Sequence, residues 1–532
     1  MSADPVWGID ARPFHAVARN VSTRYLAYAI DAGIGLVMLP FNLAHLGKPM
    51  YGLWMLTASI TASFALLDLG YGGAMVRFIA RYRALRDSKG LNEILSTLFV
   101  VYSAIGLVTF ALAVLISFHL GNIFRVGPEQ AVTARYLLII ISSYVALRCV
   151  FAVYGGIVVG FQWYHLNNVV SIAMSLVVAA VNVIVVLAGF GLIGLVASTT
   201  LVRVLFLLAY RQNAHRVFPA IRIDPRAFSR VRLREISGFS IYMLLLDCGN
   251  KLNYSADTMV IGAFMGTAAV ALWTPAQRLT ELLSRLTNQL NDALFPIVVD
   301  SHASERTEQL RTAFIQGTRL SLALALPLAG GVALLARPLI RLWVGPTFTE
   351  TGTVLQILAA IVVLKVATAT ANTILQGAGE HQRLTLYVGL TGVANLALSM
   401  ALVKPLGLVG VALGTVIPVA AMALFASFPT ACRRVGLSLI DGARKALWPA
   451  VWPAITIVIC LQLAMPLGGA SLIALGLKLA AAGLVYEAVF FCVAIGRDER
   501  RLYARKVREL LPRPALAPVL AQALSIGPRG RS

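Results

Sequence analysis

Apolar runs of about 20 residues, the length that carries a helix across a bilayer, recur along the whole of this 532-residue chain. Windows at 21–44, 51–80, 91–118, 131–160, 165–189, 191–211 and 236–262 are followed by others at 266–298, 309–335, 351–376, 382–402, 406–431, 443–465 and 470–495. Within lipid the backbone must satisfy its own hydrogen bonds, so such segments cross as helices. The pattern predicts an all-α integral membrane protein with about 14 transmembrane helices. The longest windows predict tilted helices, or helices that extend beyond the lipid.

Composition agrees with this class. Only 13% of residues are charged and 58% are hydrophobic, whereas soluble domains carry roughly a quarter of their residues charged. The net charge of +22 would suggest nucleic acid in a soluble chain. Here the basic residues alternate by loop. With the N-terminus placed inside, the inside segments hold Arg77, Arg81, Arg83, Arg86 and Lys89, the run from Arg211 to Arg234, Arg433, Arg434, Arg444 and Lys445, and the tail from Arg497. Outside segments hold only Lys48, Arg125, Arg135, Arg337, Arg341 and Lys404. This is the positive-inside bias. It predicts an even number of spans with both termini cytoplasmic, and no nucleic-acid partner.

Two inside segments, 218–236 and 499–511, place apolar residues among arginines at helix-like spacing. Interfacial helices on anionic lipid have this pattern, and so do solvated basic loops. The five cysteines and seven histidines are dispersed without metal-ligand spacing. No acid pair, nucleophile constellation or nucleotide-binding glycine loop stands out. The outside loops are all short, so an enzyme with a large extramembrane surface is not expected, nor is a cofactor. A cleavable signal peptide is not evident at the N-terminus.

A repeat is legible. Gly47, Leu53 and Trp54 have counterparts at the same spacing in Gly266, Leu272 and Trp273, each set joining the first span of a block to the second. Asn182 and Gly191-Leu-Ile-Gly echo Asn395 and Gly407-Leu-Val-Gly, between the fifth and sixth spans of each block. Blocks of six spans keep the same orientation. They predict two lobes related by an axis along the membrane normal around a central cavity, with two extra C-terminal helices. The expected division is a first lobe at 1–211, a basic linker at 212–235, a second lobe at 236–431, spans thirteen and fourteen at 432–496, and a basic tail at 497–532.

An ionisable group at bilayer depth costs a few kcal/mol or more, so it faces a cavity or a partner. Three helical faces in the second block carry polar stripes: Asp247, Lys251, Tyr254 and Asp257 on the seventh span; Arg278, Glu281, Arg285, Gln289 and Asp292 on the eighth; Lys365, Thr368, Asn372 and Gln376 on the tenth. They predict a wet, mixed-charge cavity in that block. The first block offers Arg24 and Asp31 on one face of span one, and Arg148 in span four. Arg135 and Arg203 are expected to reach an interface. The candidate substrate-binding residues are Arg24, Arg148, Lys251, Arg278, Arg285, Gln289, Lys365 and Asn372. Asp247 and Asp257 are the candidates for coupling transport to an ion. Ion pairing inside the bundle, such as Arg278 with Glu281, is the competing use of these charges.

The stretch GKPMYGLW…LLDLGYGGAMVRFIARY, with GFQWYHLNN at 160–168, AQRLTELLSRLTNQLNDALFP at 276–296 and LQGAGEHQRLTLY at 375–387, resembles the Wzx-like polysaccharide flippases of the MOP (multidrug/oligosaccharidyl-lipid/polysaccharide) superfamily. The resemblance covers nearly all the chain to about residue 440. It implies alternating-access transport of an undecaprenyl-pyrophosphate-linked oligosaccharide across the bacterial inner membrane for polysaccharide biosynthesis. The coupling ion would be H+ or Na+, and a polymerase or glycosyltransferases would be partners. A lipid II flippase, a multidrug cation antiporter of the same superfamily and a non-transporting scaffold of a polysaccharide synthase are the alternatives. Within the quoted stretch, Arg77, Arg81 and Arg83 read as a topological anchor, Gly70, Gly72 and Gly73 as a packing or bending site, and Asp68 as half of a structural pair.

Overall fold

The computed structural model describes residues 13–64, 67, 71–237, 256–303, 307–466, 471–496 and 499–500. Asp68, Gly70, Asp247, Lys251, Tyr254 and the segment from 501 onward lie outside the described residues, as do the side chains of Gln289 and Asp292.

All regular structure among the described residues is helical. Helix α1 (Pro13–Ser63) breaks at Gly47 and holds the first span and the start of the second, which α2 (Tyr71–Leu85) continues. Helices α3 (Ser88–Ile123), α4 (Pro128–Gly160), α5 (Tyr164–Leu187) and α6 (Gly191–Val217) complete the first block. The second holds α7 (256–264), α8 (Thr267–Ala303), α9 (Thr307–Leu334), α10 (Pro346–Gly377) and α11 (Gln382–Arg434), which breaks at Gly407. A final hairpin is α12 (Leu439–Ala464) and α13 (Leu472–Ala494). Ten of these helices are long and apolar enough to cross a membrane. Two of the ten, α1 and α11, are folded double at their glycines. These ten cover twelve of the fourteen expected spans; α8 falls at the eighth, and of the seventh only 256–264 is among the described residues.

The turns repeat more fully than the sequence motifs indicate. Gly47 (φ 73°) and Gly266 (φ 92°) open corresponding helices, as do Gly191 (φ 64°) and Gly407 (φ 59°). Two further pairs lie between them. Val126-Gly127-Pro128 starts α4 as Val344-Gly345-Pro346 starts α10, and left-handed Gln162 and Gly379 occupy the turns that follow those two helices. In chain order the second copy trails the first by 219, 218, 217 and 216 residues. At Gly47 and Gly407 the backbone leaves helical geometry for one residue and a new span follows directly. Both conformations fall in the left-handed half of backbone space, where a side chain is strained.

Lipid is as apolar as leucine, so these helices associate through close packing rather than through removal of apolar surface from water. Buried apolar residues fall into three cores. The largest, at the end away from the basic loops, joins both blocks: Leu39, Leu53, Leu120 and Leu195 pack in one cluster with Val270, Trp273, Leu322, Val354 and Val411, and with Ile457 and Tyr486 of the hairpin. At the basic end each block has its own core. Ile79, Leu95, Ile157, Phe161 and Phe218 belong to the first; Phe314, Ile374 and Phe428 belong to the second. Among the described residues no apolar cluster joins the blocks there. Among the described residues the blocks share one apolar core at one end, a seal between them, and keep separate cores at the other.

Polar bonds reinforce the seal. Arg125 N donates to Gly262 O at 3.2 Å, Trp343 Nε1 to Leu36 O at 2.8 Å, Lys48 Nζ to Thr347 O at 3.1 Å, and Thr267 Oγ1 to Gln130 Oε1 at 3.2 Å. Each joins the first block to the second.

The basic segment after α6 is neither free in solvent nor simply laid on lipid. Asn92 Oδ1 accepts from Arg222 N, Ser96 Oγ from Asp224 N, and Thr97 Oγ1 from Ser229 N. Arg232 reaches Glu93, Glu235 and the Tyr82 hydroxyl, and Arg81 pairs with Glu235 at 2.9 Å. The segment is therefore strapped to α2 and α3, with Arg230, Val231 and Arg234 left exposed on its outer side. Sequence spacing could not show this, because the partners lie more than 120 residues away along the chain.

Gly52 is the tightest crossing in the seal: a Cβ there would stand 1.8 Å from Thr267 O. Gly52→Ala must push α1 from α8, at a cost of about 1–3 kcal/mol. A lowered thermal unfolding midpoint of the purified protein is the expected result.

Candidate functional site

Divided at the basic end, the blocks enclose a cavity of about 810 Å3. Helix α1 supplies Arg24, Tyr28, Asp31 and Asn42; α4 supplies Tyr144 and Arg148; α5 supplies Tyr164, Asn168 and Asn182; α6 supplies Thr199 and Arg203; α8 supplies Arg278 and Arg285. A deeper cavity of about 460 Å3 toward the seal shares Asn42, Trp54 and Arg278 with it and adds Thr258, Gln277 and Glu281. Cavities of this size hold whole organic groups rather than a lone ion.

The sequence predicts a cavity in the second block, where the stripe of Asp247, Lys251 and Tyr254 lies outside the described residues. Among the described residues most of the larger cavity's wall comes from the first block, and α8 reaches it from the second. The physical reason is packing. Asp257, Lys365, Asn395, Ser399 and Thr415 form a closed polar cluster within the second block. Thr415 Oγ1 donates to Asp257 Oδ2 at 2.9 Å, Ser399 Oγ donates to Asn395 Oδ1 at 3.0 Å, and the Lys365 ammonium acts electrostatically on Asp257. Asp257, Asn395 and Ser399 are fully or almost fully buried. Asn372 is likewise not among the cavity residues; its Oδ1 is buried without a hydrogen-bond partner among the described residues.

The repeat sharpens the contrast. Thr199 is the counterpart of Thr415, 216 residues on, and Asn182 echoes Asn395. The first pair faces the cavity, and the second is drawn onto Asp257. Of the candidate residues, Arg24, Arg148, Arg278 and Arg285 are thus brought together. Lys365 and Asp257 meet elsewhere, and Lys251, Asp247 and the Gln289 side chain lie outside the described residues.

Arg203 also lines the cavity instead of reaching an interface, its guanidinium 5.8 Å from the centre of the Tyr144 ring. Sequence reasoning also missed Tyr144, Asn168 and Asn182. On α4 Tyr144 stands one turn from Arg148, and on α5 Tyr164, Asn168, Ser171, Ser175 and Asn182 share the cavity-facing side, an uncharged stripe that a search for ionisable residues passes over.

The charges are ordered along α8. Trp273 Nε1 and Thr258 Oγ1 donate to Gln277 Oε1 at 2.9 and 3.1 Å, and Gln277 Nε2 donates to Glu281 Oε1 at 3.0 Å. Glu281 lies 3.7 Å from Arg278 Nη1. Asp31 of α1 stands 3.9 Å from Arg278 and 3.8 Å from Arg285. Gly35 makes room for this: a Cβ there would stand 2.9 Å from Arg278 Nη2. The intrahelical pair Arg278–Glu281 does form, yet both arginines also turn to the cavity.

On the other side of the same triad lies an apolar groove of about 310 Å3 between α1 and α8, lined by Tyr25, Ala32, Leu36, Leu282 and Leu286. Asp31, Arg278 and Arg285 border groove and cavity alike.

Side chains of the triad are 39–54% exposed, so the pairs are screened and each contributes at most about 1 kcal/mol. Asp31→Asn is expected to leave thermal stability nearly unchanged. It should tighten binding of inorganic pyrophosphate about fivefold, measured by calorimetry, because two guanidinium groups lose their shared carboxylate.

Comparison with known proteins places this geometry. A family model described as polysaccharide biosynthesis protein matches residues 84–353, about half of the chain. The probable flippase AglR of Haloferax volcanii is 23% identical over 32% of this chain, an alignment that spans only 37% of that relative. The succinoglycan biosynthesis transport protein ExoT of Rhizobium meliloti is 23% identical over 68% of this chain and 70% of its own length. Among solved structures, the lipid II flippase MurJ in its inward closed conformation superposes with a TM-score of 0.70 at 15% identity, over 89% of this chain and 98% of that one. An inward-facing multidrug resistance MATE transporter gives 0.64 at 18% identity, over 77% and 94%. The chain belongs to the polysaccharide biosynthesis protein family, and its fold is that of the MOP-superfamily transporters.

Proposed function

We propose that this protein carries a lipid-linked oligosaccharide across a bacterial inner membrane by alternating access, with its basic end and both termini in the cytoplasm. The observation that carries the reading is the meeting of a polar cavity and an apolar groove at Arg278, Asp31 and Arg285. A substrate with a pyrophosphate between a glycan and a polyprenyl tail has the same order of parts. The glycan would occupy the cavity, its hydroxyls facing Asn42, Asn168, Asn182 and Thr199. The pyrophosphate would lie on the two arginines, whose planar guanidinium groups bind phosphate oxygens in pairs. The tail would leave through the groove into lipid. Such a head group cannot cross hydrocarbon alone, because each desolvated charge costs several kcal/mol.

Division at the basic end makes this the cytoplasm-facing state. Movement would close that end and break the seal at the other, carrying the head group between leaflets. Among the described residues, five arginines against one carboxylate on the larger cavity's wall disfavour a cation antiporter. Asp257, with its Lys365 neighbour, remains the candidate for ion coupling.

In proteoliposomes, Arg278→Gln with Arg285→Gln should lower transport at least about tenfold, and in cells lipid-linked intermediates should collect on the inner leaflet. Unchanged polymer export would favour the scaffold reading. Rescue of cells depleted of their lipid II flippase would assign the peptidoglycan precursor instead. A cleavable cross-link between cysteines placed at Lys48 and Thr347 should stop transport, and cleavage should restore it.

A further inference from the structure

One pyrophosphate accounts for one pair of arginines, yet the cavity holds a second pair. Arg278 and Arg285 border the groove, as a group at the head–tail junction requires. Arg148 on α4 and Arg203 on α6 line the cavity and not the groove. Asp31 stands within 4 Å of the first pair, whereas no carboxylate among the described residues comes that close to Arg148 or Arg203. Tyr144 lies between them, one turn from Arg148 on α4 and with its ring under the Arg203 guanidinium. Around them are neutral hydrogen-bonding groups: Tyr164, Asn168, Ser171 and Ser175 of α5, and Thr199 of α6.

For a neutral glycan those hydroxyl and amide groups would suffice, and two fixed cations would be a penalty. Each would have to give up water to the sugar without gaining a counter-charge. A carboxylate reverses the sign of that effect, because guanidinium groups bind it in paired, charge-assisted hydrogen bonds. From this arrangement we infer that the glycan is acidic, and that Arg148 and Arg203 select a carboxylate-bearing sugar such as a uronic acid. The inference rests on the transport reading above and adds a specificity-determining pair to it.

Two farnesyl-diphosphate-linked disaccharides that differ only in glucuronic acid against glucose test it, titrated against the full chain in lipid nanodiscs at fixed ionic strength. The wild type should prefer the acidic probe by about tenfold or more. Arg148→Gln with Arg203→Gln should abolish the preference, lowering affinity for the acidic probe about tenfold more than for the neutral one. Arg148→Lys with Arg203→Lys should keep part of the preference. Arg278→Gln with Arg285→Gln should weaken both probes by the same factor. Equal wild-type affinities, or an Arg148/Arg203 variant that weakens both probes alike, would overturn the inference and leave the transport reading standing. Binding of neither probe by the wild type would overturn both.

Discussion

An ionised arginine at bilayer depth has to keep water or find an opposite charge. Five guanidinium groups share one cavity here with Asp31 as the carboxylate on its wall, so the bundle cannot close around them as an ordinary core. The three-part core is the structural answer. One cluster unites the blocks at a single end, and two separate clusters keep each block intact where the water enters. The strap of 218–237 serves the same division, since the bonds described for it stay with α2 and α3 and leave the gap between the blocks open.

The two blocks share an architecture and divide the chemistry. Corresponding turns recur with a slowly shrinking offset, so the backbones are copies. The corresponding polar residues have diverged in environment: Asn182 and Thr199 belong to the cavity wall, while Asn395 and Thr415 enclose an aspartate. One block supplies most of the described wall of the larger cavity, and the other holds a buried aspartate away from that wall.

Much of the fold was legible because its signals are local. Apolar windows gave the spans, and glycines at fixed offsets gave the repeat. The site was legible only where it lies along one helix. Arg278, Glu281 and Arg285 recur at helical spacing and show a shared face. Tyr144, Arg148 and Arg203 come one or two to a helix, and the α5 stripe of Asn168, Ser171, Ser175 and Asn182 carries no charge, so packing is what shows their shared site. The reverse error has the same root: periodicity showed that Asp257 and Lys365 lie on polar faces, but it could not show that neighbouring helices cover those faces. Asp87, which caps α3 by accepting from Gly90 N, illustrates the local kind of signal, as the strap illustrates the distant kind.

The polar bonds across the closed end have a common character. Three of the four end on a backbone carbonyl, those of Gly262, Leu36 and Thr347, and none is a pair of opposite charges. A hydrogen bond of this sort is worth about 1 kcal/mol net, because water replaces the lost partner as soon as the helices part. A set of desolvated ion pairs would hold far more tightly and would strand bare charges on opening. The polar part of the closed end is therefore a weak, renewable clasp laid over the shared apolar core. Its total strength is comparable with what a few good contacts to a bound head group can repay, and substitutions at the acceptor positions leave the carbonyls in place.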